Sequence, residues 1–112
     1  MNAGGRGPEP RVDAVFAALS DPTRRSVMSE LAHTESATAT ELAEQVPVSR
    51  QAVVKHLQVL GRAGLVTSAR DGREVRYSFR AEPLADVAEW IADEGAVWDD
   101  RLRRLQRMFD RE

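Results

Sequence analysis

The stretch SRQAVVKHLQVLGRAGLV, residues 49–66, determines how this chain folds and what one of its surfaces presents. At 100° per residue, its apolar side chains recur at spacings of four, three and four and form an inward seam of Val53, Leu57, Leu60 and Gly64. The opposite side spans an arc of about 140° and holds Arg50, Gln51, Val54, Lys55 and Gln58. We predict a helix from Arg50 to about Arg62, with Ser49 as its N-cap.

The residues before this helix predict that it is the second member of a helix-turn-helix. Thr38 and Glu41 have the spacing of a capping box, which predicts a short helix over Ala39–Gln45, ended by Pro47. Asp21 before Pro22 predicts the start of an earlier helix, Pro22–Ala32. Residues 13–19 predict a first short helix and residues 33–37 a loop. A short helix, a tight turn and a longer helix in succession have helix-turn-helix spacing.

Alternating polar and apolar residues after position 64 predict a β-hairpin. Leu65–Arg70 leads into Asp71-Gly72, a preferred two-residue turn. On the return strand, the side chains predicted to face the helices are Val75, Tyr77 and Phe79. The opposite face carries Glu74, Arg76, Ser78 and Arg80.

The last segment, from Pro83, predicts one long helix of roughly 40 Å. Its apolar residues recur at spacings of four and three: Leu84, Ala88, Ile91, Gly95, Trp98, Leu102, Leu105 and Phe109. This repeat is typical of a helix that packs along another helix. Gly95 is small enough to allow a partner helix to approach closely.

The overall composition predicts one soluble globular domain. Of the 112 residues, 42% are hydrophobic, 30% charged and 5% aromatic, so the core of one chain is modest and an oligomer with a shared core is plausible. The chain has no cysteine, which excludes disulfides and thiolate metal sites. We expect a flexible tail over 1–11, a domain over 12–82 and a helix over 83–112. The tail lacks the apolar region of a signal peptide, which indicates a cytoplasmic protein.

Charge is distributed unevenly along the chain. The formal net charge is −2, yet residues 48–80 hold seven basic and two acidic side chains, a balance of +5. Residues 1–47 have a balance of −3 and residues 81–112 of −4. A basic central third around a helix-turn-helix indicates a polyanionic partner.

The outward arc has the chemistry that reads DNA. Arg and Lys side chains donate to guanine, Gln pairs with adenine, and Val54 can contact a thymine methyl. The hairpin would be the wing, with Arg70, Arg73 and Arg76 near the backbone or minor groove. Any surface helix has a polar side, but the preceding helix, the wing and the local charge together favour the DNA interpretation.

Three blocks, LSDPTRRSVMSEL (19–31), SRQAVVKHLQVLGRAGLV (49–66) and RDGREVRYSF (70–79), resemble the ArsR/SmtB-type winged-helix repressors. The resemblance implies a homodimer on a palindromic DNA operator, with recognition-helix contacts at Arg50, Gln51, Val54 and Lys55. We predict that Ser49 and Gln58 of the same helix also contact the DNA. Val54 stands where many relatives have serine. The first and last helices would form the dimer interface, with Val15, Phe16, Leu19, Leu84, Ile91, Trp98, Leu102, Leu105 and Phe109.

The chain departs from the metal-sensing members of that family. The segment TATELAEQV corresponds to their thiolate-bearing helix and has neither Cys nor His, and the last helix has acids but no histidine. We therefore predict no metal, no cofactor and a non-metal input. No glycine-rich phosphate loop or nucleophile elbow suggests an enzyme. The competing hypothesis is a winged-helix protein-interaction module that does not bind DNA.

Four further residues have two interpretations each. His56 lies off the outward arc, so a packing role is favoured over base reading. Arg24 and Arg25 could touch phosphate or hold acids of neighbouring helices, and the structural role is favoured. Trp90, like Trp98, is at helical spacing and is expected in a core or an interface rather than in a ligand pocket.

Overall fold

The structure is a computed structural model that describes residues 10–110, with side chains described for 11–108. In chain order the elements are α1 (Pro10–Leu19), α2 (Pro22–Ala32), β1 (Ala37–Thr38), α3 (Ala39–Ala43), α4 (Arg50–Arg62), β2 (Val66–Asp71), β3 (Glu74–Phe79) and α5 (Glu82–Asp110). The sheet is antiparallel, in the order β1-β3-β2. The predicted fold class, a mainly helical winged helix-turn-helix with a long last helix, is confirmed, and the wing has a third strand.

The predicted helix starts are confirmed by their cap hydrogen bonds. Asp21 Oδ1 accepts from the Arg24 N–H at 3.0 Å, and Ser49 Oγ accepts from the Ala52 N–H at 3.1 Å. Thr38 and Glu41 form the complete capping box of α3. Each cap satisfies a backbone donor that the helix itself cannot pair.

Three helix boundaries differ from the prediction, and the smallest difference is at α5, which begins at Glu82 rather than at Pro83. α1 begins at Pro10 rather than at residue 13, so the last two residues of the expected tail belong to the helix. The rest of that tail lies outside the described residues. α3 ends at Ala43 rather than Gln45, because Pro47 ends the regular hydrogen bonding earlier than the apolar pattern suggests.

A Schellman motif ends α4 and turns the chain into the wing. The Gly64 N–H donates to the Gly61 carbonyl at 3.0 Å and the Leu65 N–H to the Leu60 carbonyl at 2.9 Å. Gly64 has φ +79°, a conformation that side chains with a Cβ rarely adopt. Leu60 and Leu65 are both fully buried, which supplies the apolar contact typical of this motif.

The hairpin turns one residue later than predicted. Asp71 pairs with Glu74, so the loop residues are Gly72 and Arg73 rather than Asp71 and Gly72. Gly72 has φ +66° and Arg73 does not have a positive φ, which is the pattern of a type II′ turn. Tyr77 and Phe79 pack against the core as predicted, whereas Val75 is exposed near the wing tip.

The strand β1 replaces part of the loop predicted over 33–37. Its two residues pair with the far edge of β3, Ala37 with Tyr77 and Thr38 with Arg76. So short a strand exists only because β3 is there to pair with it. It attaches the start of α3 directly to the wing.

The hydrophobic core lies where α1, α2, α3 and α4 meet. The fully or almost fully buried residues that dominate it are Val15, Val27, Leu31, Leu42, Val53, Leu57, Leu60 and Leu65. Val53, Leu57 and Leu60 are thus confirmed as the inward side of α4, whereas Gly64, the fourth predicted member of the seam, lies beyond the end of the helix and is exposed, because the chain turns there into the wing. Within the described residues, no helix is long and apolar enough to cross a membrane.

Only the first part of helix α5 packs against this core. Val87 is buried, the Trp90 ring meets Phe16 edge to face with centroids 5.9 Å apart, and Arg11 Nη1 donates to Asp86 Oδ2 at 2.6 Å. From Ile91 to Met108 the side chains are exposed except for Asp100, which is half-buried.

The predicted interface residues differ in their exposure. Phe16, Ile91, Trp98, Leu102 and Leu105 are between 43% and 59% exposed. Val15 is 0% exposed and belongs to the core of its own chain, which differs from the prediction. Leu19 and Leu84 are half-buried against that core, and the side chain of Phe109 lies outside the described ones.

We expect Leu60→Ala to destabilise the fold by about 2–5 kcal/mol, because it removes a fully buried side chain and leaves a cavity. Equilibrium urea unfolding measures the loss. Gln58→Ala, on the exposed side of the same helix, is the control and should change stability by less than about 0.5 kcal/mol. Equal losses in the two variants would contradict the placement of the α4 seam in the core.

The capping box makes stability depend on pH. The hydrogen bond from the Thr38 N–H lowers the pKa of Glu41 below its ordinary value of 4.5, and the Arg76 guanidinium contributes in the same direction. A carboxyl with a lowered pKa stabilises the folded state above its unfolded pKa, and that stability is lost as pH falls through the folded pKa. Glu41→Gln should therefore flatten the fall in the free energy of unfolding below about pH 4.5.

The matched control for that measurement is Glu44→Gln, which removes the same charge beyond the end of α3. Urea midpoints at pH 6, 4.5 and 3.5 give the pH dependence of each variant. If Glu44→Gln flattened the acid limb as much as Glu41→Gln, the capping carboxylate would not be its source.

Candidate nucleic-acid interface

Burial of one side of α4 determines which side chains its other side presents. Arg50, Gln51, Lys55 and Gln58 are all exposed, as the helical wheel indicates. Val54 is only half exposed, because it also packs against the core. The helix therefore offers four polar side chains and part of one apolar side chain within a single arc.

The first turn of α4 is positioned by α3. Arg50 Nε donates to Thr40 Oγ1 at 3.1 Å, which holds the arginine stem against the start of α3. The Ser49 hydroxyl oxygen accepts the cap hydrogen bond, so its proton remains able to donate elsewhere. The N-terminal end of a helix also carries partial positive charge, which favours a nearby phosphate.

A groove separates this end of α4 from the wing. It has a volume of about 610 Å³. The residues that line it are Thr38, Ala39, Thr40 and Glu41 around the start of α3, Arg50 and Val54 of α4, and Arg73, Glu74, Val75 and Tyr77 of the wing. Arg50 and Arg73 thus border one groove, and Arg73 is exposed at the wing tip. Arg70 is exposed on β2, close to the same tip in sequence.

Arg76, the third predicted wing contact, has internal partners instead. Its Nε donates to Ser36 Oγ at 2.8 Å, and its Nη2 donates to the Ser36 carbonyl at 3.1 Å and to Glu41 Oε1 at 3.3 Å. Its Nη1 donates to Glu74 Oε1 at 3.2 Å. The guanidinium is thus occupied in joining β3, the residues before β1 and the capping carboxylate of α3.

The two arginines of the DPTRR block have structural roles, as favoured, but their partners are carbonyls rather than acids. Arg24 Nε donates to the Ala18 carbonyl at 2.6 Å, and Arg25 Nη1 donates to the Leu19 carbonyl at 2.5 Å. These carbonyls belong to the last turn of α1, whose partial negative charge a guanidinium complements. These hydrogen bonds attach both arginines to α1 and do not orient them toward DNA.

His56 lies on the side of α4 that faces α2. It is half-buried, and its Nδ1 is 3.4 Å from Arg24 Nη1. Because a guanidinium can only donate, His56 Nδ1 is the acceptor in this contact. The prediction that His56 lies off the outward arc agrees with this position.

Sequence reasoning missed Thr40 and Ser36. Both are short hydroxyl side chains whose role is to receive an arginine from a distant part of the chain, at ten and forty residues' separation. The cluster of Ser and Thr around α3 was visible in the sequence, but it indicated only caps and turns.

The described residues contain no group of three or more His, Cys, Asp or Glu placed to hold a metal ion. His33 is the C-cap of α2 and His56 lies in α4, and His33 Nδ1 lies 2.6 Å from the Ser29 carbonyl oxygen. The expectation of a chain without a metal or cofactor stays a prediction.

Comparison with known proteins shows which family this chain resembles. Residues 19–69 match the helix-turn-helix domain family. The transcriptional repressor SdpR of Bacillus subtilis is 34% identical over 77 residues, which cover 69% of this chain and 84% of that protein.

Two solved structures carry the likeness beyond the helix-turn-helix. An ArsR-like transcriptional regulator from Rhodococcus sp. RHA1 is 42% identical with a TM-score of 0.80, over 88% of this chain and 92% of that one. The homodimeric winged helix-turn-helix DNA-binding domain of a possible ArsR-family regulator from Mycobacterium bovis is 26% identical, with a TM-score of 0.60 and coverage of 84% and 83%. The chain therefore belongs to the ArsR/SmtB family of winged helix-turn-helix transcriptional regulators.

Proposed function

We propose that this protein is a homodimeric, sequence-specific DNA-binding repressor that occupies a palindromic operator. The observation that carries the proposal is the exposed arc of α4, with Arg50, Gln51 and Lys55 on one side of a helix whose other side is buried. Side chains of these types form bidentate contacts with guanine and adenine in the major groove. The helix that presents them cannot rotate without exposing its apolar seam.

The wing extends this surface toward the DNA backbone. Arg73 borders the same groove as Arg50, and Arg70 lies on the strand leading to the tip. Exposed arginines there would contact phosphates, which strengthens binding to any sequence and fixes the orientation of α4. We propose that Arg70 and Arg73 are phosphate contacts and that Arg76 holds the wing in place.

A two-fold dimer would recognise a palindromic DNA sequence. A two-fold axis relates two copies of α4, and half-sites one DNA turn apart require a separation of roughly 34 Å. The homodimeric state of the Mycobacterium bovis relative supports this assembly. We propose that occupation of the promoter represses transcription, and the relative SdpR is a transcriptional repressor.

The input that releases the DNA is proposed to be something other than a transition metal. The chain has no cysteine and two histidines, His33 and His56. His33 Nδ1 contacts a helix carbonyl and His56 Nδ1 contacts the Arg24 guanidinium. We place the protein in the cytoplasm, where its DNA target would be.

Fluorescence anisotropy with the protein's own promoter DNA and a random duplex of equal length tests the function. Specific binding should exceed random binding by at least about 10³-fold, and affinity should fall as salt rises. If promoter and random duplex bound equally, or neither bound, the winged-helix interaction module would be the better hypothesis.

Arg50→Ala and Gln51→Ala should each weaken operator binding by about 1–3 kcal/mol if the side chain makes a bidentate pair with a base, with little effect on random DNA. Arg62→Ala is the control, since it removes an exposed arginine from the other end of the same helix. Anisotropy titrations against both duplexes give the ratio. A weakening of equal size on operator and random DNA would make these residues backbone contacts.

Arg73→Ala and Arg76→Ala should weaken DNA binding in different ways. Removal of a phosphate contact at Arg73 should reduce the slope of log K against log salt by about one. Arg76→Ala should lower affinity without that change in slope, because the guanidinium is bound to Ser36 and Glu41. Ser36→Ala should weaken binding in the same way as Arg76→Ala. A reduced slope for Arg76→Ala would show that this arginine contacts DNA directly.

A further inference from the structure

The outward arc of α4 contains one polar side chain that another element holds in place. Arg50 Nε donates to Thr40 Oγ1 at 3.1 Å, across ten residues of sequence. Among the described residues, no hydrogen bond or ion pair holds the side chains of Gln51, Lys55 or Gln58. A long side chain that is oriented before binding loses less conformational entropy when it binds. Arg50 is thus prepared for a contact of fixed geometry, which its neighbours in the arc are not.

Both ends of this hydrogen bond are fixed by helix caps. Thr40 is the second residue of α3. In the capping box of that helix, Thr38 Oγ1 accepts from the Glu41 N–H at 3.1 Å, and Glu41 Oε1 accepts from the Thr38 N–H at 2.9 Å. Arg50 is the first residue of α4, and the Ser49 cap fixes that helix start. The hydroxyl and the guanidinium therefore meet because two helix starts are held in position.

The two acids that line the groove beside Arg50 are paired elsewhere. Glu41 and Glu74 both form ion pairs with Arg76, at 3.3 Å and 3.2 Å. The partner of Arg50 is instead a neutral hydroxyl, which orients the guanidinium without cancelling its charge. An arginine held by a carboxylate would lose a charge-assisted hydrogen bond when it turned to DNA. Thr40 orients Arg50 and leaves its charge available to DNA.

The hydrogen bond also restricts which donors Arg50 offers. A guanidinium can bind two neighbouring acceptors end-on, with its two Nη groups, or side-on, with Nε and one Nη group. Since the Nε–H of Arg50 is bound to Thr40, the end-on pair of donors remains. Two such donors match O6 and N7 of guanine. Adenine presents N7 beside an amino group, which would place donor against donor.

We propose that Thr40 is a positioning residue for DNA recognition, which holds Arg50 end-on and thereby commits one position of each half-site to guanine. The inference rests on the proposed function, because it requires α4 to enter the major groove of an operator. A competing role for the same hydroxyl is a phosphate contact, since its proton remains able to donate. A phosphate contact strengthens binding to every sequence, whereas a positioning contact favours sequences with guanine at one position.

Base preference at single positions tests the two roles. Selection from a randomised duplex library gives a preferred sequence, and anisotropy titrations of its single-base variants measure the preference at each position. Arg50→Ala identifies the position that Arg50 reads, because the preference for guanine should disappear there. Thr40→Val replaces the hydroxyl by a methyl group of similar size. It should reduce the preference for guanine over adenine at that same position about three- to tenfold, and change other positions less than about twofold.

Three further variants control for the loss of the hydroxyl. Thr40→Ser keeps the hydroxyl and should restore the preference to within about twofold of the original protein. Thr40→Ala removes it without a branched side chain, so the result does not depend on how α3 accepts valine. Thr67→Val makes the same chemical change at an exposed threonine of β2 that does not line the groove, and it should leave the preference unchanged.

A double-mutant cycle measures whether Thr40 acts through Arg50. In the Arg50→Ala protein, Thr40→Val should change affinity for the selected duplex less than about twofold, because no guanidinium is left to orient. An undiminished effect of Thr40→Val in that protein would overturn the positioning role.

The possible results separate this inference from the proposed function. If the original protein selected no sequence, the proposed function and the role of Thr40 would both be overturned. If Arg50→Ala removed one guanine from the selected sequence but Thr40→Val did not weaken that preference, the role of Thr40 alone would be overturned. Equal weakening by Thr40→Val on selected and random duplexes would make Thr40 a phosphate contact. A base other than guanine at the position that Arg50 reads would overturn the end-on geometry.

Discussion

The helix α4 is held from one side by the core, and this burial controls what the rest of the molecule can do. Val53, Leu57 and Leu60 are at most 2% exposed, and the Schellman motif at Gly64 fixes where the helix stops. Rotation by one residue would move this seam 100° out of the core and expose apolar surface. The outward arc is therefore fixed by a contact on the opposite side of the helix.

The second constraint is the start of α3, where three parts of the chain meet. The carboxylate of Glu41 accepts from the Thr38 N–H at 2.9 Å and from Arg76 Nη2 at 3.3 Å, and it thereby caps α3 and holds the wing. Thr40, in the same turn, receives Arg50 from α4. The wing and α4 are thus connected through α3 in addition to the direct contacts between α4 and β2. A surface that must match DNA in two places needs such a rigid connection.

The two parts of helix α5 have different surroundings. Its first part packs on α1 through Val87 and Trp90 and so belongs to the folded body. Its later part presents an apolar face of Ile91, Trp98, Leu102 and Leu105 that the described part of the chain leaves exposed. An input that changes the packing of α5 would change the match to both half-sites together.

Elements whose signals are local could be predicted from the sequence, whereas features that depend on distant residues could not. Asp21, Thr38, Glu41 and Ser49 predicted helix starts correctly, because a cap acts over three residues and needs nothing from the rest of the chain. The period of the apolar residues likewise predicted the inward seam of α4, since that seam is a property of one helix. The strand β1, by contrast, exists because β3, almost forty residues later, offers a free edge.

The roles of Arg76 and Val15 depended on the folded chain in the same way. Arg76 appeared as a DNA contact in the sequence, yet its partners Ser36 and Glu41 lie forty and thirty-five residues away. Val15 appeared as an interface residue, but packing of α1 against the rest of the core buries it completely. Periodicity shows which side of an element is apolar, and the folded chain alone shows what covers that side.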